Sequence, residues 1–196
     1  MFSYSLFGNR LKVKNNALDS DIAKEIIAVS ENALTKRKSD YNHLPLNIRT
    51  SEPEYKMQFS NPDNRTLVLS PQGYYRYLLD TDSLLNKRVL SYLSLPDNWE
   101  VKSTRVMIYE PGAHLVEHVD SALPIEGMSN YSAIIPLSNP SNYAGGDLVF
   151  YGNKDISSIL NPCDMLCFDY EQRHKITPLV SGIRFSLNFR INVVDK

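Results

Sequence analysis

Between Arg184 and Val193 the chain alternates without interruption: Phe185, Leu187, Phe189, Ile191 and Val193 are apolar, and Arg184, Ser186, Asn188, Arg190 and Asn192 between them are polar. A period of two is that of a β-strand, in which successive side chains point to opposite faces. Such a strand must bury its apolar face, so the fold has to supply a second layer. Two arrangements satisfy this. Either the polar row meets solvent, or it faces inward in a barrel lined by a polar pocket while the apolar row meets helices. The pattern alone slightly favours the solvent-facing arrangement.

The rest of the C-terminal half carries the same signature. "VKSTRVMIYE", "YSAIIPLS", "DLVFY", "DMLCFDY" and "KITPLV" read as short strands, separated by turn signals at Pro111-Gly112, Asn139-Pro140, Gly145-Gly146, Gly152-Asn153 and Asn161-Pro162. Many short strands with tight turns predict a sandwich or barrel, mainly β with flanking helices. Two helices are expected in the N-terminal half. One spans 19 to 36, with Ile22, Ala23, Ile26, Val29, Ala33 and Leu34 at helical spacing and Asp19 or Ser20 as N-cap; the other spans about 82 to 94, with an Asp cap and Pro96 beyond its end. Residues 39 to 80 show little periodicity and read equally as short strands or as a functional loop.

At 196 residues the chain is most simply one domain, 1–196, with a supporting and substrate-loop region over about 1–100 and a core over about 101–196. Its 21 basic and 22 acidic residues give a net charge of −1, which offers no general attraction for nucleic acid or for an anionic membrane. The run Lys36-Arg37-Lys38 follows the first helix, where positive charge complements the helix dipole. Cys163 and Cys167 match neither a zinc ribbon nor a disulfide framework and read as buried free thiols. With no apolar run near the ~18 residues of a membrane span, the expectation is a cytoplasmic protein.

Metal-binding side chains concentrate in "GAHLVEHVDSA", residues 112 to 122. His114-Leu-Val-Glu-His118 fits the H-x-x-E-H pattern of inverted zinc peptidases, which needs a helix, whereas His118-Val119-Asp120 fits an H-x-D pair. Pro111-Gly112 upstream and the β-branched Val116 and Val119 argue against a helix. On a strand, positions 118 and 120 share a face and can reach one ion. A third ligand must come from elsewhere, and His174, beyond the strand "DMLCFDY", is better placed than His43 in the irregular segment. Two imidazoles and a carboxylate make the facial triad of non-haem Fe(II) sites. Ten residues after His174, Arg184 and Ser186 share a strand face and can grip a carboxylate.

Taken together, "YEPGAHLVEHVD", "YAGGDLVFYG" and "FDYEQRHKITPLVSGIRFSLNF" resemble the iron(II)/2-oxoglutarate-dependent dioxygenases, in particular their prolyl-4-hydroxylase-like branch. The intervals of 56 residues from His118 to His174 and ten more to Arg184 fit that family. The resemblance covers roughly residues 101 to 192. It implies a double-stranded β-helix (jelly roll) in which His118, Asp120 and His174 bind Fe(II) and act as the catalytic centre. Arg184 and Ser186 would hold the distal carboxylate of 2-oxoglutarate, with Tyr109 and Tyr131 as weaker candidates for contacts to it. The implied reaction hydroxylates an unactivated C–H bond of an amino acid, small metabolite or peptide side chain, using dioxygen and releasing succinate and CO2, with ascorbate a candidate reductant. In one departure, Asn161-Pro162-Cys163-Asp164 keeps the Asp of the family's P-x-x-G-D turn without its Gly. In another, Arg184 stands where collagen-type enzymes usually carry Lys, so a prolyl substrate is not implied.

Two rivals stay open. "RFSLNFR" also resembles the R-x5-R segment of AlkB-type nucleic-acid demethylases through Arg184 and Arg190, against which the charge balance speaks. A non-catalytic jelly-roll binding module is the other. The loop "SALPIEGMSNY" and the segment 39 to 80 are expected beside the substrate, with Tyr41, Arg49, Tyr55 and Arg76 as possible contacts.

Overall fold

The computed structural model describes residues 4–6, 11–41, 67–70, 72–80, 82–120, 128–150, 154–155 and 160–194. Helix α1, Ser20–Tyr41, starts where Asp19 Oδ1 accepts the backbone N–H of Asp21 (2.9 Å) and Ile22 (3.3 Å). Its buried stripe is Ile22, Ala23, Ile26 and Leu34, as the spacing predicts. Val29, however, is exposed. The position next to it, Ser30, is fully buried, because its hydroxyl donates to the Ile26 carbonyl (2.7 Å) and loses its need for water. Helix α2, Leu84–Leu93, is capped by Ser83, which accepts from Asn86 N–H, rather than by the Asp expected from the sequence. Among the described residues, no helix is long and apolar enough to cross a membrane.

The strands are β1 (Tyr4–Leu6), β2 (Leu11–Lys14), β3 (Leu67–Leu69), β4 (Tyr75–Leu79), β5 (Trp99–Tyr109), β6 (Leu115–His118), β7 (Met128–Pro136), β8 (Tyr143–Gly145), β9 (Leu148–Phe150), β10 (Lys154–Asp155), β11 (Met165–Asp169), β12 (His174–Ile176), β13 (Leu179–Gly182) and β14 (Arg184–Val194). They form an antiparallel eight-stranded sheet ordered β1-β2-β11-β7-β14-β5-β4-β3, a four-stranded sheet β10-β9-β12-β6, and the pair β13-β8. Of the irregular segment 39 to 80, β3 and β4 are strands, while 42–66, with His43, Arg49 and Tyr55, lies outside the described residues, as does the loop 121–127.

Two apolar clusters flank the large sheet. Phe185, Leu187, Phe189, Ile191 and Val193 of β14 pack with Ile26 and Leu34 of α1 and Val89 and Leu93 of α2. Burying such side chains contributes roughly 1.5–3 kcal/mol each. The other face of the sheet packs Leu166 and Phe168 of β11 and Met107 and Tyr109 of β5 against Leu148, Phe150 and Ile176 of the smaller sheet. The polar row of β14 is therefore on the inside: Arg184 and Ser186 are buried, and Asn188, Arg190 and Asn192 line a cavity. This corrects the solvent-facing arrangement that the pattern favours. Alternation specifies two different faces but not which of them water touches, and here the helices take the apolar one.

The turn at Asn161-Pro162-Cys163-Asp164 forms without its expected glycine. Cys163 takes φ +71°, the left-handed region, in the place where the family has Gly. Asp164 fixes it by accepting from Asn161 N–H (3.0 Å), Asn161 Nδ2 (3.1 Å) and Asn16 N–H (2.9 Å). Cys163 and Cys167 are both free and buried.

Candidate metal centre

Residues 115–118 are a strand, so the helix required by H-x-x-E-H is absent. Glu117 lies within 3.5 Å of Arg173, and the His114 ring donates to the Gly112 carbonyl (3.2 Å). His118 is instead the cross-strand partner of His174, and their rings lie 4.3 Å apart. Two residues on, the Asp120 N–H donates to the Tyr170 carbonyl (2.9 Å), which carries the strand pairing past His118 and aims the carboxylate between the imidazoles. Donor atoms of His118, Asp120 and His174 all lie within 4.8 Å of one another, the one such group of three among the described residues.

The ring nitrogens are sorted by their backbone contacts. His118 Nδ1 donates to the Val116 carbonyl and His174 Nδ1 to the Gln172 carbonyl, each at 2.9 Å. The carbonyls can only accept, so the proton stays on Nδ1 and the Nε2 lone pairs are left for a metal. The Nε2 atoms lie 3.4 Å and 3.9 Å from the two Asp120 oxygens. His174 is held edge-on to Phe168, centroids 4.9 Å apart, with Phe150 at 5.6 Å. Burial drives the His174 pKa down, while the Asp120 contact drives that of His118 up. Asp120 itself stays ionised. Burial pushes its pKa upward, but the His118 contact and the Arg190 charge outweigh that and hold it well below the ordinary carboxylate range.

Arg190 is the neighbour that sequence reasoning attached only to the demethylase reading. Its Nη1 donates to Asp120 Oδ2 (2.6 Å) and to Ser132 Oγ (2.7 Å), and its Nη2 donates to Asp120 Oδ1. Ser132 in turn donates to Asp120 Oδ2 (2.5 Å). A signal for Arg190 was present, since it sits three alternations after Arg184 on the same face; Ser132 had none. The donor set fits a hard-to-borderline divalent cation, with two neutral nitrogens and one carboxylate on one side and an open cavity of about 470 Å³ on the other.

Arg184 and Ser186 lie farther along the β14 inner face and do not line that cavity. The Arg184 guanidinium is buried beside a gap of about 10 Å³ walled by Ile134, Pro136, Tyr143, Leu148 and Leu160. Ser186 Oγ lies 3.5 Å from it and the Tyr109 ring centroid 5.2 Å. No carboxylate among the described residues faces it, and a buried guanidinium left so is costly. Such a group is suited to pairing with an anion. Gly146 makes room for this arginine, because a Cβ there would meet Arg184 Cδ at 3.1 Å and Leu179 Cδ1 at 2.9 Å. Tyr109 is buried beside Arg184, and burial raises its pKa so that the phenol keeps its proton. Tyr131 is placed differently: its ring stacks on Trp99, centroids 5.6 Å apart, and packs with the helix-side cluster. Its side chain also borders the cavity beside the triad, while its neighbour Ser132 reaches Asp120 from β7.

No family model matches the chain. A PKHD-type hydroxylase of Synechococcus elongatus is 34% identical over 83 residues, which are 40% of this chain and 37% of that protein, so the chain spans well under half the length of this relative. The fold is similar to that of the viral collagen prolyl hydroxylase from Paramecium bursaria Chlorella virus-1, with TM-score 0.54 and 14% identity over 96% of this chain and 98% of the other. It is also similar to the non-heme alpha-ketoglutarate-dependent carbocyclase SnoK from nogalamycin biosynthesis, with TM-score 0.57 and 11% identity over 94% and 80%. The architecture is thus the jelly roll of the 2-oxoglutarate/Fe(II) oxygenases, and the resemblance to the prolyl-4-hydroxylase-like branch is supported by partial sequence relatives as well as by fold.

Proposed function

We propose that the protein is an Fe(II)- and 2-oxoglutarate-dependent hydroxylase acting on an unactivated C–H bond of an amino acid, a small metabolite or a peptide side chain. The observation that carries this reading is the convergence of His118 Nε2, His174 Nε2 and the Asp120 carboxylate, with both Nδ1 atoms already committed to backbone carbonyls. His118, Asp120 and His174 would hold the iron. Arg184 and Ser186 would anchor the distal carboxylate of 2-oxoglutarate, and Tyr109 packs against that arginine. When bound, the metal and co-substrate supply oxygen activation, with succinate and CO2 as by-products. The chain's own part is placement. Phe150 and Phe168 keep water off His174, and the cavity admits the substrate to the open side of the triad. SnoK has a similar fold and is a carbocyclase, so the fold alone does not choose hydroxylation; the PKHD-type relatives favour it.

The test is succinate formation from 2-oxoglutarate by protein reconstituted anaerobically with Fe(II) and then exposed to air with ascorbate, across a panel of amino acids and peptides. Metal- and co-substrate-dependent succinate that disappears in His174→Ala and Asp120→Ala is the expected result. Fe(II) binding that survives both substitutions, or no succinate under any condition, would overturn the assignment and leave a binding module.

A further inference from the structure

The cavity beside the triad is lopsided in charge. Arg76, Lys102, Arg105 and Arg190 line it, and Asp120 is its one acidic side chain among the described residues. Three of these cations have interactions of their own: Lys102 pairs with Glu100 (2.6 Å), Arg190 spends both terminal nitrogens on Asp120, and Arg76 is likewise engaged. The Arg105 side chain has no hydrogen bond or ion pair among the described residues. Strand register fixes its surroundings. It stands directly across from Asn188 of β14, and Arg76 of β4 is opposite Met107, one step along the same inner face. Three guanidiniums therefore share one wall of the cavity. Burial and then the charges of Arg190 and Arg76 disfavour the protonated form of Arg105, and Asp120 offsets this only in part, so an anion at this wall would be favoured. The distal carboxylate of 2-oxoglutarate does not meet this demand. Its partner, Arg184, lies four residues before Asn188 on the strand, roughly 13 Å away along the chain.

Resting on the hydroxylase reading above, we propose that Arg105, with Asn188 across from it and Arg76 beside it, is the recognition site for a carboxylate of the hydroxylated substrate. The substrate is then an acidic amino acid derivative or an acidic peptide segment. A planar guanidinium fork matches a carboxylate in two parallel hydrogen bonds, and the neighbouring arginine adds charge without competing for the same oxygen atoms. Because Arg105 and the triad line the same cavity, a carboxylate held at Arg105 leaves the substrate's carbon chain to reach toward the triad.

The experiment is calorimetric titration of protein loaded with redox-inert Mn(II) and saturating 2-oxoglutarate. The probes are N-acetyl-L-glutamate, the capped peptide acetyl-Gly-Glu-Gly-amide, the neutral N-acetyl-L-glutaminamide and inorganic phosphate. Saturable binding of one or both acids, little binding of the neutral amide, and a loss of roughly tenfold to a hundredfold in Arg105→Gln, the fold-change of one charge-assisted hydrogen bond, support the site. Which acid binds separates the free from the peptide source. Arg105→Lys should recover part of the loss, and Asn188→Ala should also weaken binding of the acid. Equal binding of acid and amide, preference for phosphate, no binding of either acid, or a loss confined to 2-oxoglutarate affinity in Arg105→Gln would each overturn the assignment while the hydroxylase reading stands. Failure of the wild type to bind Mn(II) and 2-oxoglutarate together would instead remove the reading on which it rests.

Discussion

Replacing Arg190 with methionine separates two roles, compensating the buried Asp120 carboxylate and setting its availability to a metal. The Asp120 side chain is 5% exposed and that of Arg190 33%, so the pair falls between a buried and a surface ion pair. Removing one partner of a fully buried pair costs about 3–5 kcal/mol, and an exposed pair is worth about 0–1. With Ser132 still donating to Asp120, the expected loss is about 2 kcal/mol, a fall in Tm of about 4–8 °C for a chain of this size. A divalent metal among His118, Asp120 and His174 would compensate the same carboxylate, so the loss should shrink when metal is saturating. Thermodynamic linkage then fixes a second observable. Whatever destabilisation vanishes in the loaded protein must reappear as tighter metal binding, up to about thirtyfold if all 2 kcal/mol vanishes. Urea unfolding of both proteins with and without saturating Mn(II), together with a direct metal titration, closes the cycle. Equal destabilisation in both states with unchanged metal affinity would refute the reasoning. A fall in affinity would show that Arg190 orients the carboxylate for the metal rather than competing with it.

Other expectations are simpler. Gly146→Ala forces a side chain into φ +69° against Leu179 and Arg184; it should cost about 1–2 kcal/mol and weaken 2-oxoglutarate binding several-fold in calorimetry, and unchanged affinity would detach Arg184 from the co-substrate. Phe189→Ala removes a ring that is 1% exposed beneath the helices and should cost about 3–5 kcal/mol by urea titration; a loss below about 1 kcal/mol would mean that the helices do not cover β14. Burial pushes the Cys167 thiol from its ordinary 9.0 up to about 12. Its folded pKa is the higher one, so the stability it contributes is complete below pH 9 and lost as pH rises toward 12. At pH 8 it should resist thiol reagents until urea unfolds the chain; rapid native labelling would contradict its burial.

The clustering of the candidate metal-binding residues was legible because each rests on a local rule. The spacing of His118 and Asp120 demands a strand, Pro111-Gly112 blocks the competing helix, and His174 opens β12, the strand that pairs back onto β6. The helix caps and stripes were nearly so, failing at Val29 and at Ser83, where one side-chain hydrogen bond moves a boundary by a residue. What could not be read was orientation. The inward face of β14, and the opposite facing of Tyr131 and Ser132, are set by which layer covers the sheet, a fact that no stretch of β14 or β7 contains. Arg105 was invisible for the same reason, because in "VKSTRVMIYE" it reads as one more polar residue of an alternating strand until β4 and β14 close over it.

Strand β14 anchors both helices with one set of side chains and lines the cavity beside the candidate metal-binding group with the other. Deleting or inserting a single residue ahead of Arg184 would exchange the two sets, driving guanidiniums under α1 and phenylalanines among the metal ligands. Insertions and deletions there should therefore abolish folding and chemistry together. Point changes at positions 188 and 192 are freer to retune the cavity while the odd-numbered positions hold the scaffold, so variation in specificity among natural or selected variants is expected to be written there.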